Sequence, residues 1–139
     1  MGQQQLLLII LGVIIVGIAI AVGLQLFQSG SVGANQDAII NDLMNLSSHA
    51  DQWRIRPETM GGGGGDFDGY AIPDRLATTG NAEYSISAAG SGSTITFQAE
   101  SVMHDGLIRL QYDADGTTDS DRYGWSSSGV FDIGTTFTP

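Results

Sequence analysis

The residues best suited to chemistry are four closely spaced aspartates in the stretch "DADGTTDSD", namely Asp113, Asp115, Asp119 and Asp121. Ca²⁺ favours such oxygen-rich loops, which supply about six to eight ligands at about 2.4 Å. The spacing is not that of an EF-hand, because the glycine comes fourth instead of sixth. The alternative is a solvated hairpin turn that begins at Asp115 and Gly116. The sequence therefore leaves two interpretations open here, a calcium site and a turn.

No other motif predicts catalysis. His49 and His104 are far apart in the sequence and neither has a nucleophile motif beside it. The chain has no cysteine and no G-x-S-x-G motif, so the usual signatures of nucleophilic catalysis are missing. We therefore expect His49, which lies one position before Ala50 of an apolar stripe, to be structural, and the protein not to be an enzyme.

A run of five glycines, residues 61–65, lies within "MGGGGGDFDGY". Phosphate-binding loops need a lysine, a serine or threonine and a preceding strand, and this run lacks all three. Uninterrupted glycines do not hold a regular element without support. We expect a flexible or tightly packed connector that Phe67 and Tyr70 pin to the domain.

Alternating apolar residues begin at residue 81 and predict an antiparallel meander of about four strands with one buried face. The predicted strands are "AEYSISA", "STITFQAE", "LIRLQYD" and at least one within "YGWSSSGVFDI". The inward side chains in the first three are Tyr84, Ile86 and Ala88, then Ile95, Phe97 and Ala99, then Ile108, Leu110 and Tyr112.

An amphipathic helix is predicted before the sheet, over residues 35–56. Its apolar stripe, spaced by four and three residues, consists of Ile39, Leu43, Leu46, Ala50 and Trp53. Pro57 limits the helix at its C-terminal end. Upstream, the interval "QSGSVGANQ" is expected to loosen or break the helix at Gly30 or Gly33.

The N-terminal segment has the composition of a membrane helix. The first 36 residues carry no charge, and residues 6–24 form a run of 19 residues without a polar side chain, close to the length that spans a bilayer. A cleaved secretory signal fits poorly, because the basic n-region and a small-x-small cleavage site are missing. Small residues, including Gly12, Gly17, Ala19 and Gly23, allow close helix approach.

All charged residues of the chain lie after the apolar N-terminal segment. Fifteen acidic residues stand against five arginines and no lysine, giving a formal net charge of −10, and every charge lies at or after Asp37. Such a surface repels phosphate backbones, so we expect no nucleic-acid partner. The predicted organisation is an apolar helix with a flexible junction (1–34) and a soluble domain (35–139), which comprises the amphipathic helix, a glycine-rich connector (57–80) and the meander (81–139).

This α+β layout, an apolar N-terminal helix continued by an amphipathic helix on a small antiparallel sheet, resembles the type IV pilin and type II secretion pseudopilin superfamily. In that family a dedicated peptidase removes a short leader next to a glycine. Mature chains often start with Phe or Met, which suits Met1, and the alternative start is Gln3. The resemblance implies assembly through the helix, here through Met1, Gln3, Gln4, Gln5, Gly12, Gly17, Ala19 and Gly23.

The chain departs from the family pattern at three points. The family usually has a glutamate where this sequence has Gln5. A proline that is frequent in the family is absent here, and Val22 lies close to its position. The C-terminal disulfide loop is missing, since the chain has no cysteine. Gln5 accepts a hydrogen bond but supplies no charge for the N-terminal amine of a neighbouring subunit.

The resemblance implies a structural subunit of a cell-surface filament. The protein would insert into the inner membrane, meet the pilus or secretion assembly machinery and then polymerise with copies of itself. A pseudopilin of a secretion machine is a close alternative. A different class of function is a monomeric, membrane-anchored domain that binds Ca²⁺ or a glycan through the aspartates. The resemblance also favours the calcium interpretation of the aspartates, because some major pseudopilins bind Ca²⁺ near the C-terminus.

Overall fold

A computed structural model describes residues 2–123 of the chain, apart from the side chains of residues 89–91 and 119–123. One long helix precedes a small antiparallel sheet, so the predicted α+β class is confirmed. The elements are α1 (Gly2–Ile55), a 3₁₀ helix (Glu58–Met60), α2 (Asp74–Ala77), β1 (Ala82–Ser91), β2 (Thr94–Ser101), β3 (Leu107–Asp113) and β4 (Thr118–Tyr123).

The strands lie in the sheet in the order in which they occur in the chain, each antiparallel to the next. The first three correspond to predicted runs. The fourth is "TDSDRY", which overlaps the aspartate stretch that the sequence leaves open between a calcium site and a hairpin turn. The sequence predicts no strand at these residues, and pairing with β3 supplies the backbone partners that strand propensity does not. The strand predicted in "YGWSSSGVFDI" lies outside the described residues from position 124 onward.

The buried face of the sheet follows the predicted alternation. Inward side chains on β1–β3 are buried or partly buried in the core, namely Tyr84, Ile86, Ile95, Phe97, Ala99, Ile108, Leu110 and Tyr112. Ala88 is the exception, because it is exposed. The pairing between β1 and β2 shifts register on both sides of Ala88, and such an irregularity interrupts the regular alternation of faces.

The second half of α1 covers this core, and it packs on β2 and β3. The predicted stripe is confirmed, because Ile39, Leu43, Leu46 and Ala50 are buried and Trp53 packs against them partly exposed. The helix ends at Ile55, two residues before Pro57, where proline disfavours a further turn.

The helix crosses Gly30 and Gly33 without interruption, so the predicted break in this interval is wrong. Each glycine costs about 1 kcal/mol relative to alanine in a helix interior. A break costs more, because it leaves up to about four N–H and four C=O groups unpaired and requires a second helix nucleus. The apolar and amphipathic halves are therefore one continuous rod.

Candidate membrane and assembly interface

No other part of the described chain packs against the apolar half of α1. Large apolar side chains over residues 6–27 are between 49% and 75% exposed. The segment extends about 33 Å at about 1.5 Å per residue, and α1 is long and apolar enough to cross a membrane. Water is a poor solvent for such a surface, since burial of apolar area is favoured by about 25 cal/mol per Å².

Small residues of this segment gather on one face of the helix. At about 100° per residue, Gly12, Ala19 and Gly23 fall within about 40° of one another. Gly17, also predicted as an assembly residue, lies about 140° from Gly12 and does not share that face. Nothing lies within 4 Å of a Cβ built at any of the three glycines. The structure thus divides the predicted assembly residues between two sides of the helix.

The small-residue face points away from the sheet. Because α1 is continuous, its faces can be followed from one half to the other, and Gly23 lies about 160° around the axis from the buried Ile39. Further along, the same side carries exposed, uncharged residues, namely Asn41, Met44, Asn45, Ser48 and Gln52. Asp37 adds one charge at the start of this region. The side of α1 opposite the sheet is thus small or neutral over most of its length.

The remaining predicted assembly residues lie at the start of the helix. Gln3, Gln4 and Gln5 are exposed in the first turns of α1, where the first four backbone N–H groups of a helix lack intrahelical partners. Met1 lies outside the described residues. The glutamines offer hydrogen-bonding groups to a neighbour at this end of the rod.

A cluster of polar side chains fixes the rod to the sheet. Asp42 Oδ2 accepts hydrogen bonds from the Tyr84 hydroxyl at 2.7 Å, from Asn81 Nδ2 at 3.3 Å and from Thr79 Oγ1 at 3.3 Å. Burial, together with the neighbouring Asp42 carboxylate, raises the pKa of Tyr84 well above its ordinary value. These bonds set the orientation of the sheet on the rod and thereby determine which side of α1 remains free.

Three of the five glycines cap the C-terminal end of α1. The amides of Gly63, Gly64 and Gly65 donate to the carbonyls of Trp53, Arg56 and Arg54 at 2.9–3.0 Å. A helix leaves its last carbonyls without intrahelical partners, and this loop satisfies three carbonyls at that end. The same amides are therefore engaged and do not form a phosphate cradle.

The packing of this connector confirms one of the two predicted alternatives, a tightly packed loop pinned by Phe67 and Tyr70. Both aromatic side chains are buried. The Tyr70 ring meets Trp53 edge-on with centroids 5.7 Å apart, and its hydroxyl hydrogen-bonds to His49 Nδ1 at 2.8 Å. His49 thus has a structural contact, as predicted, and burial raises the pKa of Tyr70 to about 12.

The four aspartates occupy a hairpin. Asp113 ends β3, Asp115 lies in the turn, and Asp119 and Asp121 lie in β4. The turn is closed by the Gly116 amide, which donates to the Asp113 carbonyl at 2.9 Å, with Gly116 at φ +89°. This confirms the hairpin interpretation.

The described carboxylates of this hairpin already have partners within it. Asp115 Oδ1 accepts from the Thr117 amide at 2.8 Å and from its hydroxyl at 2.6 Å, and these bonds lower the pKa of Asp115. Within the described side chains, no group of three acidic or histidine residues is arranged to hold a metal ion. The side chains of Asp119 and Asp121 lie outside the described set, so calcium binding stays a prediction.

Comparison of the chain with models of protein families, with characterised proteins and with solved structures gives no match. Function is therefore inferred from the geometry of α1 and its sheet. The sequence pattern missed two contributors to that geometry, the Asp42 cluster and the glycine cap. An aspartate on the sheet-side flank of an amphipathic stripe, and a glycine run that follows the helix after a short interval, are the signals that point to them.

Proposed function

We propose that this protein is a structural subunit of a pilus-like filament at the cell surface, in which copies associate through α1. The observation that carries the proposal is the relation between the two sides of α1. The sheet covers one side of the second half, and the opposite side carries Gly12, Ala19 and Gly23 and then exposed residues that are uncharged apart from Asp37. This arrangement leaves a long helical surface free for other copies.

Transfer from membrane to filament keeps the apolar segment out of water. Residues 6–27 are apolar on all sides, so they suit a bilayer core before assembly and a bundle of like helices afterwards. Association of helices in an apolar environment depends on close packing, which small residues permit. Gly12, Ala19 and Gly23 are the residues at which neighbouring helices would approach most closely.

The distribution of charge favours a filament with its sheets outside. The uncharged first 36 residues would form the interior, and the acidic domains, with a net charge of −10 on each chain, would face solvent, where salt screens their repulsion. Gln3, Gln4 and Gln5 would form neutral hydrogen bonds between subunits near the N-terminal end. Insertion into the inner membrane, processing by a prepilin-type peptidase and delivery by an assembly machinery belong to the same proposal.

The test uses two substitutions that add the same side chain to different sides of α1. Gly23→Leu fills the free face, whereas Gly17→Leu adds the same bulk on the sheet side. Both positions are open in the single chain, and leucine favours helix more than glycine by about 1 kcal/mol. Neither variant should therefore impair folding of the subunit.

Filaments sheared from cells that express each variant are counted and measured by negative-stain electron microscopy. We expect long fibres from the native chain, fewer fibres from Gly17→Leu and strong loss from Gly23→Leu, with equal amounts of folded protein in the membrane. Short assemblies in place of fibres would indicate a pseudopilin. A native chain that remains a membrane-embedded monomer would refute the proposal and leave a membrane-anchored domain.

A further inference from the structure

One end of the sheet lies beside the apolar half of α1. The strands run along the helix, because Ser101 at the end of β2 donates its hydroxyl to Asn35 Oδ1 at 2.7 Å, whereas Arg54 donates to the carbonyl of Ala114, just after β3, at 3.4 Å. Asn35 is the first buried residue of α1. The loop between β2 and β3, residues 102–106, is therefore at the end of the sheet nearest residues 6–27.

Two adjacent apolar side chains are exposed on this loop, Val102 at 61% and Met103 at 63%. The backbone beneath them is fixed, since the amide of Val102 donates to the Asn81 carbonyl at 3.2 Å and that of Met103 to Ser101 Oγ at 3.3 Å. Isolated exposed apolar residues are common, but a neighbouring pair held outward by an ordered loop is a candidate contact surface.

The height of the loop above the membrane follows from the continuous helix. If Phe27 marks the edge of the hydrocarbon core, Asn35 stands eight residues, or about 12 Å, beyond it. The headgroup layer accounts for about 5–8 Å of that distance. A helix tilt of about 20° lowers the side of the domain that leans toward the membrane by about 3 Å, and the loop itself extends past the level of Ser101. If the sheet side leans toward the membrane, Val102 and Met103 come close to the outer headgroup layer.

We propose that Val102 and Met103 contact the phospholipid surface and seat the domain on the membrane while α1 is inserted. The proposal rests on the membrane-inserted stage of the proposed function. The lipid it fits is zwitterionic, because the exposed Asp105 of the same loop and the net charge of −10 on the chain repel anionic headgroups. Because the sheet is fixed to α1, the contact restricts rotation of the whole subunit about the helix axis and holds the small-residue face in one orientation toward neighbouring copies.

The test uses single-cysteine variants of the full chain, which has no cysteine of its own. Met103→Cys places an environment-sensitive fluorophore on the loop. Met60→Cys is the matched control, because Met60 is also an exposed methionine, 74% accessible, but lies at the opposite end of the domain. Val16→Cys reports insertion of the apolar segment. Each variant is reconstituted into phosphatidylcholine vesicles that contain nitroxide quenchers at the headgroup or deep in the acyl chain.

We expect the deep quencher to act on position 16 and the headgroup quencher to act on position 103 with a blue shift of emission, while position 60 shows neither effect. Equal behaviour at positions 103 and 60, with position 16 quenched, would overturn this inference and leave the proposed function intact. Lack of quenching at position 16 would overturn both. Loss of the effect at position 103 when protein is diluted with lipid would assign the contact to a second copy and also overturn the lipid contact.

Discussion

Replacement of Gly63 by alanine tests whether the glycine loop packs on the end of α1 as described. A Cβ at this position would lie 2.0 Å from the Asp66 carbonyl oxygen and 2.5 Å from Cζ3 of Trp53. Both atoms belong to groups that cannot turn aside, a backbone carbonyl and an aromatic ring. The loop must move away from the helix to accept even one methyl group.

The expected cost has two parts. Overpacking of a well-packed site costs about 1–3 kcal/mol. Displacement of the loop also weakens the hydrogen bond from the Gly63 amide to the Trp53 carbonyl, now 3.0 Å, which contributes about 0.5–1.5 kcal/mol. Gly63→Ala should therefore lower the free energy of unfolding by about 2–4 kcal/mol, a large fraction of the about 5–15 kcal/mol typical of native proteins.

The assay is urea unfolding of the full chain in detergent micelles, followed by Trp53 fluorescence in a Trp125→Phe background. Two other glycines provide matched controls. Gly80→Ala meets nothing within 4 Å and should change stability by less than about 0.5 kcal/mol. Gly61 also has open space but a φ of +73°, so Gly61→Ala should cost about 1–2 kcal/mol through backbone strain alone. If Gly63→Ala unfolds like Gly80→Ala, the loop does not pack on Trp53 as described.

Two further predictions concern the polar contacts of the core. Asp42→Ala should lower the free energy of urea unfolding by about 1–3 kcal/mol, because it removes the acceptor of the Tyr84 hydroxyl; Asp42→Asn, which retains an acceptor oxygen, should lose less, and equal losses would contradict this reason. Burial raises the pKa of Tyr70 to about 12, so its stabilising contribution is complete below about pH 10 and is lost as the pH rises toward 12. Tyr70→Phe should reduce the alkaline loss measured between about pH 9 and pH 12, and an unchanged profile would count against the burial argument.

Local patterns predicted the elements from which the fold is built. The apolar composition of residues 6–24, the stripe from Ile39 to Trp53 and the alternation over the first three strands each involve residues close in sequence. Periods of about 3.6 and 2 residues directly encode one-sided burial in a helix and a strand. These patterns fixed the α+β class, the buried side of the amphipathic helix and the presence of a membrane-length segment.

Contacts between distant parts of the chain decided what those patterns did not. Whether α1 breaks at Gly30 depends on two free-energy costs, that of keeping glycine in a helix and that of leaving backbone N–H and C=O groups unpaired at a break. Composition alone does not show which of the two is larger. The strand that contains Asp119 forms because β3 offers it a partner, against its own low propensity. The sequence leaves the glycine run open between a flexible and a tightly packed connector, and the carbonyls near the end of α1, which accept its amides, decide for the packed one.

The sequence by itself therefore determined which surfaces must avoid water, since that depends on side-chain composition and spacing. Only the tertiary structure decided that the apolar half continues the same unbroken helix and how the sheet is joined to it, because the latter depends on bonds such as those joining Asp42 to Tyr84 across 42 residues and Asn35 to Ser101 across 66. These contacts turn the sheet to one side of a continuous rod. As a result Gly12, Ala19 and Gly23 face away from the domain, and Gly17 does not.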